Sequence, residues 1–309
     1  MQAVRFHRYG APGVMALEPL AAVPLPPGHV RVRMQAAGVA PVDTKLRAGL
    51  LQQHIALELP KVPGRDGTGV VEALGAGVDD LAVGDAVCVI AGMQDQGSYA
   101  QGMVLPRQRV VARPQRLSVH EAAILLQPGA SAWIPVVQTA AVAAGMKVLV
   151  HAGSGAVGSL MVQLAAHLGA EVWATCSQAN TDYVAALGAA HVLAYDTQDF
   201  SGLRGFDVVF DLVGGATHDK SYALLKRGGH LVWLVAAPIR DRGQEFDVRV
   251  QRAMITDAPE ALRQVASLAQ LGVLTPTVGQ VYRLARAADA HALLESGRAP
   301  RGRIVLEIS

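Results

Sequence analysis

The residues Gly153-Ser-Gly155-Ala-Val-Gly158 spell the pattern G-x-G-x-x-G, whose chemistry is the binding of a dinucleotide pyrophosphate. Glycine makes up 32 of 309 residues, so the pattern carries weight only through what flanks it. Met146 to Val150 reads as a short apolar strand before it. Val157, Leu160, Met161, Leu164, Ala165 and Leu168 follow at offsets 0, 3, 4, 7, 8 and 11, the stripe of an amphipathic helix. In that setting Gly153 permits the tight turn, Gly155 lets backbone amides approach an anion, and Gly158 lets helix and sheet pack closely. The free N–H groups of the first helical turn face the negative charge. A bare strand–turn–helix junction that binds nothing is the other reading of these residues.

The second strand, Glu171 to Thr175, decides between cofactors. An enzyme for NAD usually places Asp or Glu at its end to accept from the ribose 2′-hydroxyl. Here the exit carries Cys176 and Ser177, with Asn180 close behind, so a 2′-phosphate meets no carboxylate and two polar side chains. NADPH is therefore expected. Against it stand Asp182 and the lack of any Lys or Arg between 172 and 203.

These residues need elements to hold them. The first third of the chain reads as β-rich, with His29 to Met34 alternating in period 2 and six glycines from Gly64 to Gly84 punctuating short apolar runs. Further strands are expected at Asp85 to Ala91 and Ser98 to Leu105. From Leu117 the texture changes to alternating helices and strands of βαβ length. His191 to Ala194, Phe206 to Val213, His230 to Val235 and Arg249 to Ile255 continue the strand series. After Thr256 come helices at Pro259 to Leu271 and Leu284 to Leu294, then a strand at Arg303 to Ile308. The expected fold class is α/β, with three stretches: 1–117 and 257–309 forming one domain, and 118–256 a doubly wound parallel sheet.

Composition narrows the function. A content of 51% hydrophobic and 17% charged residues suits a packed enzyme, and a net charge of +2 without basic runs gives a nucleic-acid partner no support. Two cysteines, Cys88 and Cys176, are too few for a disulfide framework and fit a reducing cytoplasm. The N-terminus lacks the apolar stretch of a secretory signal. Ala122 to Met146 carries no charge, but Pro128, Gly129, Pro135 and Gly145 interrupt it, so it reads as core and not as a membrane span.

Several segments in register resemble the medium-chain dehydrogenase/reductase superfamily, in its zinc-independent quinone oxidoreductase (zeta-crystallin-like) branch. They are Gly38 to Asp43 (GVAPVD), Pro63 to Val71 (PGRDGTGVV), Val148 to Gly158 and Asp207 to Gly215 (DVVFDLVGG), with Leu225 to Gly229 and Gly302 to Leu306 completing the set. The resemblance spans nearly the whole chain. It implies a GroES-like β-rich domain built from both chain ends, enclosing a Rossmann domain, and a homodimer paired through the last Rossmann strand.

It also implies roles for single residues. Ser131 lies near the nicotinamide-side phosphate, Ala156 and Val157 cover the pyrophosphate, and Tyr195 reaches the adenosine phosphate end. Val213, Gly214, Val235 and Ala236 flank the ribose and nicotinamide, and Arg301 approaches from the C-terminal segment. Zinc-dependent members place a cysteine and a Gly-His-Glu motif where this chain has Ala40-Pro41 and Gly64-Arg65-Asp66. Guanidinium stays protonated and cannot ligate zinc, so no metal is expected.

Without a Lewis acid, hydride transfer suits a quinone or enone, whose product oxyanion is delocalised. Similar enzymes line the site with Asn-Pro-x-Asp and a following Tyr; here those positions are Ala40, Pro41, Asp43 and Lys45. Asp43 is a candidate acid or a structural anchor, and Lys45 a candidate oxyanion donor or a solvated loop lysine. The rivals are an enoyl or alkenal double-bond reductase of the same fold and a non-catalytic NADPH-binding sensor or structural protein.

Overall fold

The structure is a computed structural model that describes residues 1–235 and 238–308. The chain begins with strands β1 (Gln2–Phe6), β2 (Met15–Pro19), β3 (His29–Val39), β4 (Asp66–Leu74), β5 (Ala86–Ile90), β6 (Gly102–Pro106) and β7 (Val110–Ala112). It continues with β8 (Lys147–Val150), β9 (Glu171–Cys176), β10 (His191–Ala194), β11 (Phe206–Asp211), β12 (Leu225–Trp233) and β13 (Arg249–Arg252), and ends with β14 (Val278–Arg283) and β15 (Arg303–Glu307). Contacts divide it into an outer unit, Met1–Gln127 with Asp257–Ser309, and an inner unit, Pro128–Thr256.

In the outer unit seven strands form one sheet in the order β14-β15-β3-β4-β5-β7, with β6 also pairing β3. β3 is the longest strand, and alternation over Val30, Val32 and Met34 buries one face in the main apolar core. The strand runs on to Val39 because Ala36, Ala37 and Val39 add small buried residues beyond the alternating segment. The strand expected at 85–91 is one residue shorter at each end and that at 303–308 one residue shorter at its C-terminal end, whereas the expected strand at 98–105 begins only at Gly102. Ser98 and Tyr99 instead donate their amides to Gly64 and Pro63, and Ser98 Oγ donates to the Asp66 carbonyl. The hairpin β1–β2, the strand β14 and the helix Pro41–Ala48 were not anticipated from the pattern.

β15 brings the chain end beside β3, antiparallel, with Ile304 opposite Val39. The register is fixed by a buried pair: Arg303 Nη1 lies 2.9 Å from Asp66 Oδ2. The same guanidinium donates to Gln127 Oε1 at 3.1 Å, while the Gln127 amide donates to Asp66 Oδ1 at 2.9 Å. Burial pushes the Asp66 carboxyl up to about 6 despite Arg303, so the charge is expensive and its partner essential.

The inner unit is a six-stranded, wholly parallel sheet in the order β10-β9-β8-β11-β12-β13. Numbered from β8, this is the 3-2-1-4-5-6 order of the dinucleotide-binding fold. Buried runs such as Val148-Leu149-Val150 and Val208-Val209-Phe210 reflect strands covered on both faces. β11 stops at Asp211, short of the expected Val213, because the Asp211 carboxylate takes the next free amides itself. The uncharged segment 122–146 becomes the helix Leu126–Trp133 and a π-helical turn at Ile134–Thr139. No helix among the described residues is long and apolar enough to cross a membrane.

Replacing Arg303 by Met is expected to destabilise the fold by about 3–5 kcal/mol, since Asp66 would stay buried and uncompensated. Denaturant unfolding checks this, and the double change with Asp66→Asn should recover part of the loss. A cost in R303M below about 1 kcal/mol would remove the pair from its anchoring role.

Candidate cofactor site and substrate pocket

The sheet order reverses between β8 and β11, and ligands of such sheets bind beyond the carboxyl ends of the strands at that point. The glycine loop leaves β8 there. A Cβ at Gly158 would stand 2.1 Å from the Ala152 carbonyl oxygen, and one at Gly153 would stand 2.9 Å from Ala174 Cβ. Those two glycines are required by the close approach of helix and strand. Gly155 is different: it has φ −74° and an added Cβ would meet only the Ala152 oxygen, at 3.3 Å. Folding constrains residue 155 far less than residue 158, since only a shift of a few tenths of an ångström at the Ala152 carbonyl is needed, whereas an anion held by the loop amides needs the space itself.

Gly155 caps the helix Ala156–His167, and no side chain caps its first turn among the described residues. The leading amides are thus left for a ligand, with the helix dipole behind them. This loop fits a pyrophosphate.

Beneath the loop lies a chain of buried polar groups. Ser221 Oγ donates to the Thr217 carbonyl at 2.7 Å, so it must accept from His151 Nε2, 3.1 Å away. His151 Nδ1 then accepts from Thr175 Oγ1 at 3.1 Å, and Thr175 Oγ1 accepts from the Ala152 amide at 3.3 Å. The network leaves His151 one tautomer and no room for a second proton. Burial agrees, lowering its pKa to about 4. The chain ends on Ala152, which holds a left-handed φ of 56°, an uncommon state for alanine, and so sets the entry angle of the loop.

The neighbouring loop uses a charged group. Asp211 Oδ1 accepts from the Val213 and Gly214 amides, both at 2.8 Å, and Oδ2 lies 2.7 Å from His218 Nδ1. His218 Nε2 sits 3.1 Å from Tyr222 Oη, which donates to the Arg240 carbonyl. Burial opposes ionisation of Asp211, but the His218 and backbone donors hold its carboxyl below the usual range. Gly214 takes φ 80°, and a Cβ on it would press on Val235 at 3.0 Å.

The other expected cofactor residues lie as follows. Ser177 follows β9 and Asn180 Nδ2 donates to its Oγ at 2.8 Å, so the two are brought together. Tyr195 follows β10 and is 58% exposed; Val213 and Val235 follow β11 and β12, with Val213 exposed. Ser131 is buried in the helix Leu126–Trp133. Ala236 lies outside the described residues. Arg301 belongs to the outer unit, exposed just before β15.

Of the expected catalytic pair, Asp43 is buried and Lys45 exposed. Asp43 Oδ2 accepts from the Ala40 amide at 2.8 Å, closing the start of the helix Pro41–Ala48 as an anchor would. Its Oδ1 is buried and has no partner among the described residues, and burial pushes the carboxyl up to about 6. It lines a small pocket with Phe6, Leu46, Lys61, Arg65 and Met93. Arg65 is committed: Nε donates to the Ala91 carbonyl and Nη2 lies 2.5 Å from Asp257. A larger groove of about 500 Å³ runs between the 107–114 segment and the helix Pro259–Gln270, but it contains none of the motif residues.

Residues 26–115 match the alcohol dehydrogenase GroES-like domain, and residues 187–306 match the zinc-binding dehydrogenase domain. The chain is 34% identical to a 2-haloacrylate reductase of a Burkholderia species, covering 99% of this chain and 98% of the relative. It is 29% identical to the quinone oxidoreductase of Sus scrofa, covering 99% and 97%. An Escherichia coli quinone oxidoreductase solved with NADPH superposes with a TM-score of 0.87 at 26% identity, covering 99% of this chain and all of that one, or 100%. The chain belongs to the medium-chain dehydrogenase/reductase superfamily. It is an oxidoreductase of that superfamily, related to its quinone oxidoreductases.

Zinc enters the name of one matched domain, yet among the described residues no group of three or more His, Cys, Asp or Glu side chains could hold a metal. Superfamily membership leaves His151, Asp211, His218 and Lys61 without roles, and sequence reasoning passed over three of them. Asp211 had a signal: a carboxylate closing an apolar strand just before Val213-Gly214-Gly215 is placed to catch loop amides. His218 and Lys61 had none, because their partners come from distant segments.

Two outcomes test this site. Gly155→Ala should fold with a small loss of stability, below about 1 kcal/mol, and bind dinucleotide at least about tenfold more weakly, whereas Gly158→Ala should lose about 1–3 kcal/mol. Equal melting and equal binding in both variants would refute the loop reading. His151 has a folded pKa of about 4 against 6.5 ordinarily, so the unfolded chain takes its proton first. The stability this contributes is complete above 6.5 and is lost as pH falls toward 4. The pH dependence of unfolding in that window should be shallower in His151→Gln by about one proton, and an identical slope would place a proton on native His151.

Proposed function

We propose that the protein is a zinc-independent reductase that uses NADPH to reduce small conjugated carbonyl compounds, quinones or enones. The observation that carries this reading is the uncapped helix start behind Gly155, at the point where the parallel sheet reverses its strand order. NADPH, when bound, supplies the hydride. The amides from Ala156 and Val157 hold the pyrophosphate, and Ser131 meets the nicotinamide-side phosphate. Val213, Gly214 and Val235 flank the nicotinamide end, and Arg301 comes from the C-terminal return.

Ser177, Asn180 and Tyr195 support NADPH over NADH, because the exit of β9 presents hydroxyl and amide groups where a carboxylate would repel the 2′-phosphate. Of the carboxylates near this exit, Asp196 Oδ1 accepts from the Gln178 amide at 2.9 Å, and Asp182 lies in the first turn of the helix Thr181–Ala186. A second reading is favoured by the haloacrylate-reducing relative: reduction of a carbon–carbon double bond conjugated to a carboxyl group. It uses the same cofactor and the same residues.

Titration with NADPH and NADH, then NADPH oxidation with 1,4-benzoquinone and 9,10-phenanthrenequinone, tests the proposal. The expected result is at least about tenfold tighter binding of NADPH and turnover of a quinone. Binding without turnover of any quinone or enone would make the chain a cofactor-binding sensor, and no binding would end the reading altogether.

A further inference from the structure

Lys61 is the one buried lysine among the described residues, only 3% exposed. Its backbone is clamped to Phe6 by reciprocal hydrogen bonds of 3.0 Å, and its neighbours Val62 and Pro63 are tied to Gln96, Gly97 and Tyr99. The side chain is therefore delivered to one place. Yet no hydrogen bond or ion pair is made by its Nζ among the described residues. Across the same pocket stands Asp43 Oδ1, buried and likewise unpartnered.

Other charges around them are spoken for. Arg65 is paired with Asp257, and Arg303 with Asp66. Lys61 and Asp43 remain, close enough to feel each other's field but beyond ion-pair distance. The free space between the lining residues is about 10 Å³, room for one water-sized group. A buried carboxylate oxygen left without a partner beside such a gap is costly unless something fills it, and the largely desolvated Lys61 on the other side offers a donor.

We propose that Lys61 and Asp43 form an oxygen-binding subsite that selects conjugated substrates bearing a carboxylate, one carboxylate oxygen entering the gap between them. The proposal rests on the reductase reading above and narrows it to short α,β-unsaturated acids. Lys61 Nζ donates to the entering oxygen. Asp43 cannot face a second carboxylate while ionised, so it takes a proton on Oδ1 and becomes the second donor. Phe6, Leu46 and Met93 line the rest of the pocket with apolar surface.

Binding then carries proton uptake with it. Burial brings Lys61 down to about 8 and Asp43 up to about 6. Lys61 also feels Asp95 and Arg65, and Asp43 feels Arg303 and Arg65, with Asp66 and Tyr99 facing it in turn. Affinity for an acid should be flat below about pH 6, fall by up to about tenfold per unit from 6 to 8, and fall more steeply above that.

The test uses 2-chloroacrylate and its neutral partner 2-chloroacrylamide, titrated calorimetrically into the protein at pH 6.5 and 7.5 in buffers of different ionisation enthalpy. The expected result is at least about tenfold preference for the acid at pH 6.5, with proton uptake growing toward one per acid bound at 7.5. Lys61→Met should erase at least about tenfold of that preference and raise the melting temperature, because it removes a buried lysine that the protein itself leaves unpaired. Lys61→Arg should keep part of the preference. An acid-to-amide ratio equal in wild type and K61M, or binding without proton uptake, overturns the subsite. If 1,4-benzoquinone is still reduced in that case, the reductase reading survives; if wild type reduces neither benzoquinone nor either acrylate, the failure lies in that reading.

Discussion

The outer unit depends on one buried carboxylate. Asp66 opens β4, and three segments remote in sequence converge on it: the amide of Gln127, the guanidinium of Arg303 and, through the Asp66 carbonyl, Ser98 Oγ. A sheet assembled from both ends of a chain needs a reason for its last strand to return to one register. β15 is buried on both faces from Arg303 to Leu306, so its apolar run Ile304-Val305-Leu306 does not by itself choose a register. The Arg303–Asp66 pair removes that freedom, because any slip would leave two charges buried apart. Such a pair adds little net stability over an apolar replacement, and its worth lies in excluding the wrong register.

The inner unit solves a related problem twice, in opposite ways. Beneath the glycine loop a histidine is kept neutral: every partner of His151 is a hydroxyl, and the donor count leaves only one tautomer. Beneath the next loop a carboxylate is kept ionised: Asp211 accepts from two amides and from His218. Each arrangement pins a backbone turn at the carboxyl edge of the sheet, on either side of the point where the strand order reverses. A neutral group suits the first position, since a positive imidazolium there would lack any counter-charge in its own network. A fixed negative charge suits the second, since it is spent on amides and faces inward.

How much of this was legible follows from how local each cause is. The strand, glycine turn and helix around Gly153 are encoded within about twenty residues of sequence, and that stretch could be read directly. The inner sheet's strands were readable for the same reason, with β11 overrun by two residues where Asp211 turns the chain. The hairpin β1–β2 and strand β14 escaped because half of their residues are exposed and their apolar periods are short. On the substrate side, Lys45 drew attention through its place in a motif, and it turned out to be exposed. Lys61 drew none, since what buries it is a pairing with Phe6, more than fifty positions earlier.

Unsatisfied buried atoms occur in the scaffold too, at Arg47 Nε, His230 Nε2, His291 Nδ1 and Arg303 Nη2, but Asp43 Oδ1 is the one among them that lines a pocket beside an unpaired lysine. Arg65, Arg303, Asp66, His151 and Asp211 each find protein partners, and each holds a loop or a register. Asp43 Oδ1 is fully buried and finds none, and Lys61, a residue only 3% exposed, makes no hydrogen bond or ion pair through its Nζ. Folding alone would favour replacing either with an apolar side chain of like volume, because an unpaired charge inside costs more than the packing it gives. A chain that retains both, on backbone clamped from two sides, spends stability on groups that a ligand would satisfy. Natural structures break local rules of this kind where they work rather than where they merely fold. By that reasoning the chemistry of the outer unit centres on the Lys61–Asp43 gap, and the exposed ammonium of Lys45, which any solvent can satisfy, carries no such signature.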